Sequence, residues 1–142
     1  KNNEFYEYLF LLEPTSPLRE TTDIDRAFEQ LTITHNAKAI VGVSRVESQH
    51  PDFCVTLGEK NFLQSSINFK VIRRQDIKES FFFEGSIYIS DMEAYLRAKS
   101  FYHNQTIGHI FPKWKSFEID DLTDFLIVEA LLKNKNVFNR TG

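Results

Sequence analysis

The chain has 142 residues, 42% hydrophobic and 14% aromatic, which is enough for one domain with a buried core. Its net charge of −3 gives no electrostatic reason to expect nucleic acid or an anionic membrane as a partner. A single cysteine, Cys54, excludes an intrachain disulfide and a cysteine-rich zinc site and favours a reducing compartment. No apolar run approaches the ~18 residues of a membrane span.

The first predicted strand, at 8–12, leads into a polar loop with the sequence E-P-T-S-P-L-R at 13–19, called the site loop below. Two prolines end the strand, and Pro17 keeps Ser16 out of the helical region, so a rigid loop is expected. Open α/β sheets bind ligands in such loops at strand ends. A solvated, inert connection is an equally weighted alternative.

A helix and a second strand follow the loop. Thr22 is a candidate cap, and Ile24, Ala27, Phe28 and Leu31 recur at helical spacing, which predicts a helix ending near 35–36. The apolar run at 39–43 predicts a buried strand. Strand, helix and strand in this order indicate a βαβ unit with parallel strands.

Residues 45–72 change character and predict a hairpin excursion. Strands are expected at 53–57, with Cys54 as an inert buried thiol, and at 67–72, with a turn between them. Such an excursion is suited to a dimer contact, and a plain surface hairpin is at least as good an explanation.

The C-terminal half predicts strands and helices in alternation. A strand at 86–89 precedes a capping box, Ser90 to Glu93, which opens a helix to about 100. Strands at 107–111 and 117–120 follow, and Asp121 caps a helix reaching about 132. The four histidines show no metal-ligand spacing and no nucleophile arrangement.

Two carboxylates, Glu118 and Asp120, are two residues apart in the last predicted strand. A strand places both on one face, and Mg²⁺ is bound by one or two carboxylates together with water and phosphates. Spacing alone favours a simpler alternative, acids gathered at a helix N-terminus.

Neighbouring arginines precede the aromatic run at 81–83. Either Arg73 or Arg74 can bind a carboxylate with two parallel hydrogen bonds, while the other of such a pair usually faces solvent. No Gly-rich phosphate loop occurs in the chain.

Three stretches together resemble one enzyme family. The L-E-P-T-S-P-L-R at 12–19 is similar to its L-Q-P-T-S-P-L-R, and R-R-Q at 73–75 with E-G-S-I-Y at 84–88 is similar to its R-R-Q…N-G-x-I-Y. The F-E-I-D at 117–120, followed by D-F and E-A, is similar to its x-D-I-D…D-F…A-E. The family is the acylneuraminate cytidylyltransferases, or CMP-sialic acid synthetases. The resemblance runs from about 8 to 132 and matches the family's C-terminal two-thirds.

The resemblance implies a fold and a reaction. The fold is a Rossmann-like three-layer α/β sandwich with a mostly parallel sheet, a single domain over 1–142 that is incomplete at its N-terminus and projects a dimerisation segment within 45–102. The reaction is transfer of CMP from CTP to the anomeric hydroxyl of a nine-carbon sugar acid, with release of pyrophosphate. A cytoplasmic, Mg²⁺-dependent homodimer is implied.

The resemblance also implies roles for individual residues. Glu118 and Asp120 would be catalytic and hold Mg²⁺ on the CTP phosphates, Arg74 would clamp the sugar carboxylate, and Arg19 would fix the loop. The sugar-binding positions are Glu13, Arg74, Gln75, Glu84, Tyr88, Phe101 and Tyr102, the last two supplied by the same chain or by a partner subunit.

The chain departs from the family pattern in ways that matter for function. The family's N-terminal nucleotide loop is absent, so a truncated, non-catalytic remnant or dimerisation module is the alternative reading. Glu13 stands where the family has Gln, and Glu84 where it often has Asn; each replaces amide donors with a negative charge. The expected sugar is therefore a nonulosonic acid other than ordinary sialic acid, or one with an amino group facing Glu13. An octulosonic acid is a third candidate, against which the E-G-S-I-Y segment argues.

Overall fold

The computed structural model describes residues 4–47, 49–64, 73 and 77–138. The chain divides into two compact units, unit 1 over 1–44 with 83–142 and unit 2 over 45–82. The helices and strands in chain order are β1 Tyr8–Leu11, α1 Thr21–Ile33, β2 Ala39–Arg45, β3 Thr56–Leu57, β4 Leu63–Gln64, β5 Phe81–Asp91, α2 Met92–Ala98, β6 Thr106–Phe111, α3 Leu122–Lys133 and α4 Lys135–Phe138.

Among the described residues, the main sheet has four strands in the order β1-β5-β2-β6. β1 pairs antiparallel with β5, with Tyr8 opposite Asp91, and β2 pairs parallel with β6, with Ala39 opposite Thr106. The fold is α/β as expected, but the sheet is mixed, so the prediction of a mostly parallel sheet is wrong. β5 lies between β1 and β2, so the two strands of the expected βαβ unit are not neighbours. The three-layer arrangement stays a prediction.

The core of unit 1 forms between α1 and this sheet. Ala27 and Leu31 on one face of the helix are buried against Ile40, Ile87 and Phe111. This burial confirms the helical spacing predicted for α1. Each fully buried aliphatic side chain stabilises the fold by about 1.5–3 kcal/mol relative to an exposed one. The helix starts one residue before Thr22.

A capping box that the sequence pattern does not identify begins α1. Glu20, not Thr22, is the N-cap residue, and Asp23 accepts the Glu20 backbone N–H at 2.8 Å. Glu20 carries no hydroxyl, so the preference for Ser and Thr at caps points to the wrong residue here.

A buried ammonium ties the start of α1 to a 3₁₀ turn, Lys113–Lys115, after β6. Lys115 Nζ lies 2.8 and 2.6 Å from the two carboxylate oxygens of Asp23 and 2.5 Å from Glu20 Oε2. Only 6% of Lys115 and 5% of Asp23 is exposed. Hydrogen bonds from Lys115 and Lys135 lower the pKa of Glu20 to about 2. Charges buried this deeply need such partners, so the cluster fixes both segments together.

Several local predictions shift or fail. Asp91, not Ser90, caps α2 by accepting the Ala94 N–H at 3.0 Å, and the helix ends at Ala98. The 117–120 segment is not a strand. β6 and α3 lie where the sequence predicts them, with Asp121 capping α3 through the N–H groups of Thr123 and Asp124.

Unit 2 contains the short β3–β4 hairpin, with Thr56 opposite Gln64. The strand expected at 53–57 is reduced to two residues, and Cys54 is exposed, so the prediction of a buried thiol is wrong. The return strand predicted at 67–72 lies outside the described residues. Large apolar side chains are at least 40% exposed on this unit: Phe53, Val55, Leu57, Phe62, Leu63, Phe81 and Phe82.

None of the helices in the described part of the chain has the length and apolar character needed to cross a bilayer.

Candidate functional site

The site loop is fixed by hydrogen bonds and burial. Ser16 and Leu18 are only 1% and 2% exposed, and the Ser16 N–H donates to the Glu13 carbonyl at 3.4 Å. Arg19 Nη1 donates to the Glu13 carbonyl at 3.2 Å and to the Ser86 carbonyl on β5 at 2.5 Å. The loop is therefore rigid as predicted, and Arg19 has the loop-fixing contacts that the resemblance implies.

The site loop also holds residues 117–120, called the acidic segment below. The Ile119 N–H donates to the Thr15 carbonyl at 2.9 Å, and Ser16 Oγ donates to Glu118 Oε1 at 3.5 Å. Glu118 is half-buried and Asp120 is exposed. These contacts, rather than a strand ladder, place the two carboxylates, so the residues meet although the predicted strand is absent.

Glu84 is a buried carboxyl on β5. It is 1% exposed, and its Oε1 accepts hydrogen bonds from the Ser86 hydroxyl and from the Ser86 N–H at 3.3 Å. Its Oε2 makes no hydrogen bond within the described chain. Burial, opposed by the Ser86 hydrogen bonds and reinforced by Glu118, raises the Glu84 pKa to about 7.

Two glycines make room for these carboxylates. A Cβ on Gly42 of β2 would lie 1.8 Å from Glu84 Oε1, and one on Gly85 would lie 1.8 Å from Glu118 Oε1. Gly85 also has φ +74°, a conformation that residues with a Cβ rarely adopt. Burial, together with Asp120 and Glu13, raises the Glu118 pKa.

Replacing Gly85 by Ala is expected to lower the free energy of unfolding by about 1–2 kcal/mol through the left-handed backbone alone, and to displace the Glu118 side chain. Chemical denaturation measures the first effect. Repeating the substitution in a Glu118→Ala background separates backbone strain from the steric contact. An unchanged cost there would show that the contact adds nothing.

Aromatic rings cover the neighbouring side of the site. The ring centroid of Tyr88 lies 5.5 Å from that of Phe101 and 6.2 Å from that of Tyr102, and Phe83 lies 4.6 Å from Tyr102. Burial, then Tyr102 and the carboxylates Glu13 and Glu118, raises the Tyr88 pKa, so its hydroxyl stays neutral at physiological pH. Tyr88 thus joins the aromatic and acidic sides, with both Phe101 and Tyr102 reaching it within one chain.

The donor set fits Mg²⁺ only in company with a phosphate ligand. In the described residues, no three His, Cys, Asp or Glu side chains are arranged to hold a metal ion. Glu118 and Asp120 supply carboxylates close enough for Asp120 to raise the Glu118 pKa. Mg²⁺ is commonly held by one or two carboxylates with phosphate oxygens and water, so this pair matches that type of site.

A serine–histidine–aspartate contact in unit 2 does not form a nucleophilic triad. His50 Nε2 lies 2.9 Å from Ser80 Oγ, and His50 Nδ1 lies 3.5 Å from an Asp52 oxygen. The Asp52 N–H donates to Nδ1 at 3.1 Å, so in the neutral ring Nε2 carries the proton. A general base needs the opposite tautomer to accept the serine proton.

The structure brings together most of the predicted site residues. Glu13 and Glu118 lie close enough to Tyr88 to raise its pKa, and Glu118 lies close enough to Glu84 to raise the Glu84 pKa. Phe101 and Tyr102 contact Tyr88. Arg74 and Gln75 lie outside the described residues. Ser16 belongs to the predicted site loop, whereas Ser86 joins the site without being predicted. The spacing Glu84-Gly85-Ser86 is the sequence signal that places Ser86 beside a carboxyl.

No protein-family model matches the chain. Curated relatives do. The chain is 36% identical over 150 residues to an N-acylneuraminate cytidylyltransferase of Streptococcus agalactiae serotype III (strain NEM316), which covers 99% of the chain and 35% of that relative. It is 29% identical over 133 residues to the protein of the same name from Escherichia coli O18:K1:H7, covering 92% of the chain and 31% of the relative.

The name of a third relative contains a different sugar acid. The chain is 28% identical over 131 residues to a CMP-N,N'-diacetyllegionaminic acid synthase of Legionella pneumophila, covering 91% of the chain and 55% of that protein. The chain thus spans between about a third and about half of the length of these relatives. The names confirm the family resemblance that the motifs indicate.

Proposed function

Because the chain is homologous to part of the acylneuraminate cytidylyltransferases, we propose that its protein transfers CMP from CTP to the anomeric hydroxyl of a nonulosonic acid. The observation that carries the proposal is the meeting of the site loop, β5 and the acidic segment around Glu13, Tyr88 and Glu118. These are the motifs that carry the resemblance, and they are far apart in the chain. Homology over 99% of the chain supports the same reaction class.

In the proposed reaction, the anomeric oxygen forms a bond to the α-phosphorus of CTP, and the bond from that phosphorus to the pyrophosphate oxygen breaks. The hydroxyl proton passes to solvent water, and pyrophosphate carries away the bonding electron pair. Such transfers depend on charge neutralisation and in-line positioning rather than on a protein nucleophile. Glu118 and Asp120 would hold Mg²⁺, which supplies neutralisation of the phosphate charge when bound.

The sugar acid would lie between the aromatic rings and Glu13. Tyr88 presents a neutral hydroxyl at this place, since its pKa is raised, and a neutral hydroxyl can both donate and accept a hydrogen bond. Glu13 is half-buried and close enough to raise the pKa of both Tyr88 and Glu118. Arg74 is the proposed partner of the sugar carboxylate.

A homodimer is part of the proposal. Unit 2 falls within the predicted dimerisation segment, and its described residues include seven exposed large apolar side chains, from Phe53 to Phe82. Exposed apolar surface, where it is contiguous, usually marks an interaction surface. A cytoplasmic location, favoured by the single cysteine, also stays a prediction.

The reaction is tested by incubating the full-length protein with CTP, Mg²⁺ and a panel of sugar acids, including N-acetylneuraminate and N,N'-diacetyllegionaminate, and measuring pyrophosphate and CMP-sugar. Product with a nonulosonic acid supports the proposal. If every sugar acid fails while calorimetry shows no CTP binding, the protein is the non-catalytic module instead.

Glu13→Gln is expected to change sugar preference in the same panel. The substitution restores amide donors and removes a charge, and a lost charged hydrogen bond costs about 1.5–3 kcal/mol, so the ratio of kcat/KM for N-acetylneuraminate over the preferred sugar should rise at least about tenfold. Glu29→Gln, on the exposed side of α1, is the matched control. The idea fails if N-acetylneuraminate is already the best substrate and Glu13→Gln leaves the ratio unchanged.

A further inference from the structure

Arg19 lies where the site loop meets β5. Its Nη1 donates to the Glu13 carbonyl at the start of the site loop and to the Ser86 carbonyl on β5. We propose that Arg19 is a positioning residue for the acidic segment: it locks the site loop onto β5, and the locked loop sets the position of Glu118 and Asp120. Only the use of these two carboxylates at the CTP phosphates rests on the proposed function.

The contacts of Arg19 are those of a structural clamp. Both acceptors are main-chain carbonyls, and hydrogen bonds from a charged donor are about twice as strong as neutral ones. A substrate anion on the same nitrogen would compete with these two carbonyls and leave them without that donor. Arg19 is half-buried rather than fully exposed, which fits a residue directed at the protein.

The site loop passes this constraint to the acidic segment through two contacts. The Thr15 carbonyl accepts the Ile119 N–H at 2.9 Å, which fixes the backbone between the two carboxylates. The neighbouring Ser16 hydroxyl donates to Glu118 Oε1 at 3.5 Å. Ser16 is part of the site loop and is only 1% exposed, so its side chain is held in place by its surroundings. A shift of the loop would therefore move the hydroxyl and, with it, the hydrogen bond to Glu118.

β5 limits Glu118 from the other side. Glu118 Oε1 occupies the space over Gly85, the residue next to Ser86, whose carbonyl Arg19 holds. Glu118 is therefore placed between the site loop and β5. The Arg19 side chain joins the site loop to β5, and it makes no described contact with the acidic segment. Removing this side chain should therefore shift the acidic segment indirectly, through the site loop.

The test compares Arg19→Met and Arg19→Lys in the full-length protein, with Arg97→Met on the exposed side of α2 as the matched control. Amide hydrogen exchange of Ile119, measured without CTP or metal, reads the clamp directly. We expect Arg19→Met to speed Ile119 exchange about tenfold, the scale of one charged hydrogen bond, and Arg19→Lys to recover most of the protection. Ile40 in the core should exchange as in the unmodified protein.

A second measurement separates positioning from a purely structural role. The Mn²⁺ affinity of the CTP-bound protein, measured by electron paramagnetic resonance, should weaken about tenfold in Arg19→Met and recover with Arg19→Lys. Unchanged Ile119 exchange in Arg19→Met overturns the clamp. Faster exchange with unchanged Mn²⁺ affinity overturns the positioning of the carboxylates. If the unmodified protein binds no CTP, the proposed function fails, while the exchange result still decides the clamp.

Discussion

Lys115→Met is expected to lower the free energy of unfolding by about 3–5 kcal/mol, because it leaves the buried Asp23 carboxylate without its cation. Methionine retains most of the side-chain volume, so the effect reports on charge rather than on a cavity. Urea denaturation followed by circular dichroism measures it. Lys133→Met is the matched control, since Lys133 forms an exposed ion pair with Glu129, worth only about 0.3–0.5 kcal/mol.

The Asp23→Asn exchange provides the counter-test for this cluster. In the Lys115→Met background it should recover part of the lost stability, since it removes the unpaired charge. The cluster should also make the stability of the unmodified protein depend on pH in the acid range, through Glu20. The folded-state pKa of Glu20 is depressed, so its stabilisation is present above about pH 4.5 and is lost as the pH falls towards 2. If Lys115→Met unfolds like Lys133→Met, the buried ion cluster does not stabilise the fold.

Glu84→Gln is expected to stabilise the protein at pH 8 by up to about 3 kcal/mol. The folded-state pKa of Glu84 is raised from 4.5 to about 7, so between these values the folded state holds a proton that the unfolded state has lost. The free energy of unfolding therefore falls as the pH rises from about 4.5 to 7 and is level above that. Glutamine is neutral at every pH and keeps the oxygen that accepts from Ser86.

Denaturation curves between pH 5 and 8 test this prediction. The unmodified protein should lose stability over that range, and Glu84→Gln should lose much less. Glu29→Gln, an exposed carboxylate on α1, should follow the unmodified protein. Parallel pH profiles for Glu84→Gln and the unmodified protein would show that Glu84 titrates as an ordinary carboxyl.

Local patterns predict the elements of unit 1 well where burial and local spacing agree. The apolar spacing of α1 matches its buried side, and Asp121 caps α3 as expected. Cap residues are harder to predict than helices. Ser90 and Asp91 are adjacent and either side chain can accept a helix N–H, so the choice of Asp91 depends on the folded backbone.

Strand order and direction depend on contacts that no local pattern contains. β5 is as apolar as β2, yet it inserts between β1 and β2 and runs antiparallel to β1. The acidic segment shows the same limit. The sequence predicts its carboxylates on a strand. Two hydrogen bonds place them instead, from the Ile119 N–H to Thr15 and from the Ser16 hydroxyl to Glu118, each joining residues far apart in the chain.

The burial of Glu84 could not be predicted, since glutamate is almost always exposed. Its place depends on Gly42, which is distant in sequence and contributes only empty space. The motifs indicate Glu13, Tyr88 and Glu118, which lie close together in the structure although the local secondary structure at 117–120 differs from the prediction.

The two glycines beneath the carboxylates have an evolutionary consequence. Because Gly42 leaves the volume that Glu84 fills, the residues at 42 and 84 should covary among relatives. A shorter side chain at 84 removes the severe contact with a Cβ at 42, so that alanine there needs only a small shift of Phe111, whose ring carbon lies 3.2 Å from that Cβ. Gly85 has less freedom, since its positive φ makes a side chain at this position strained whatever stands at 118. Substitutions at 42 and 84 are thus epistatic, and their order of appearance is constrained, with the shortening at 84 preceding any gain at 42.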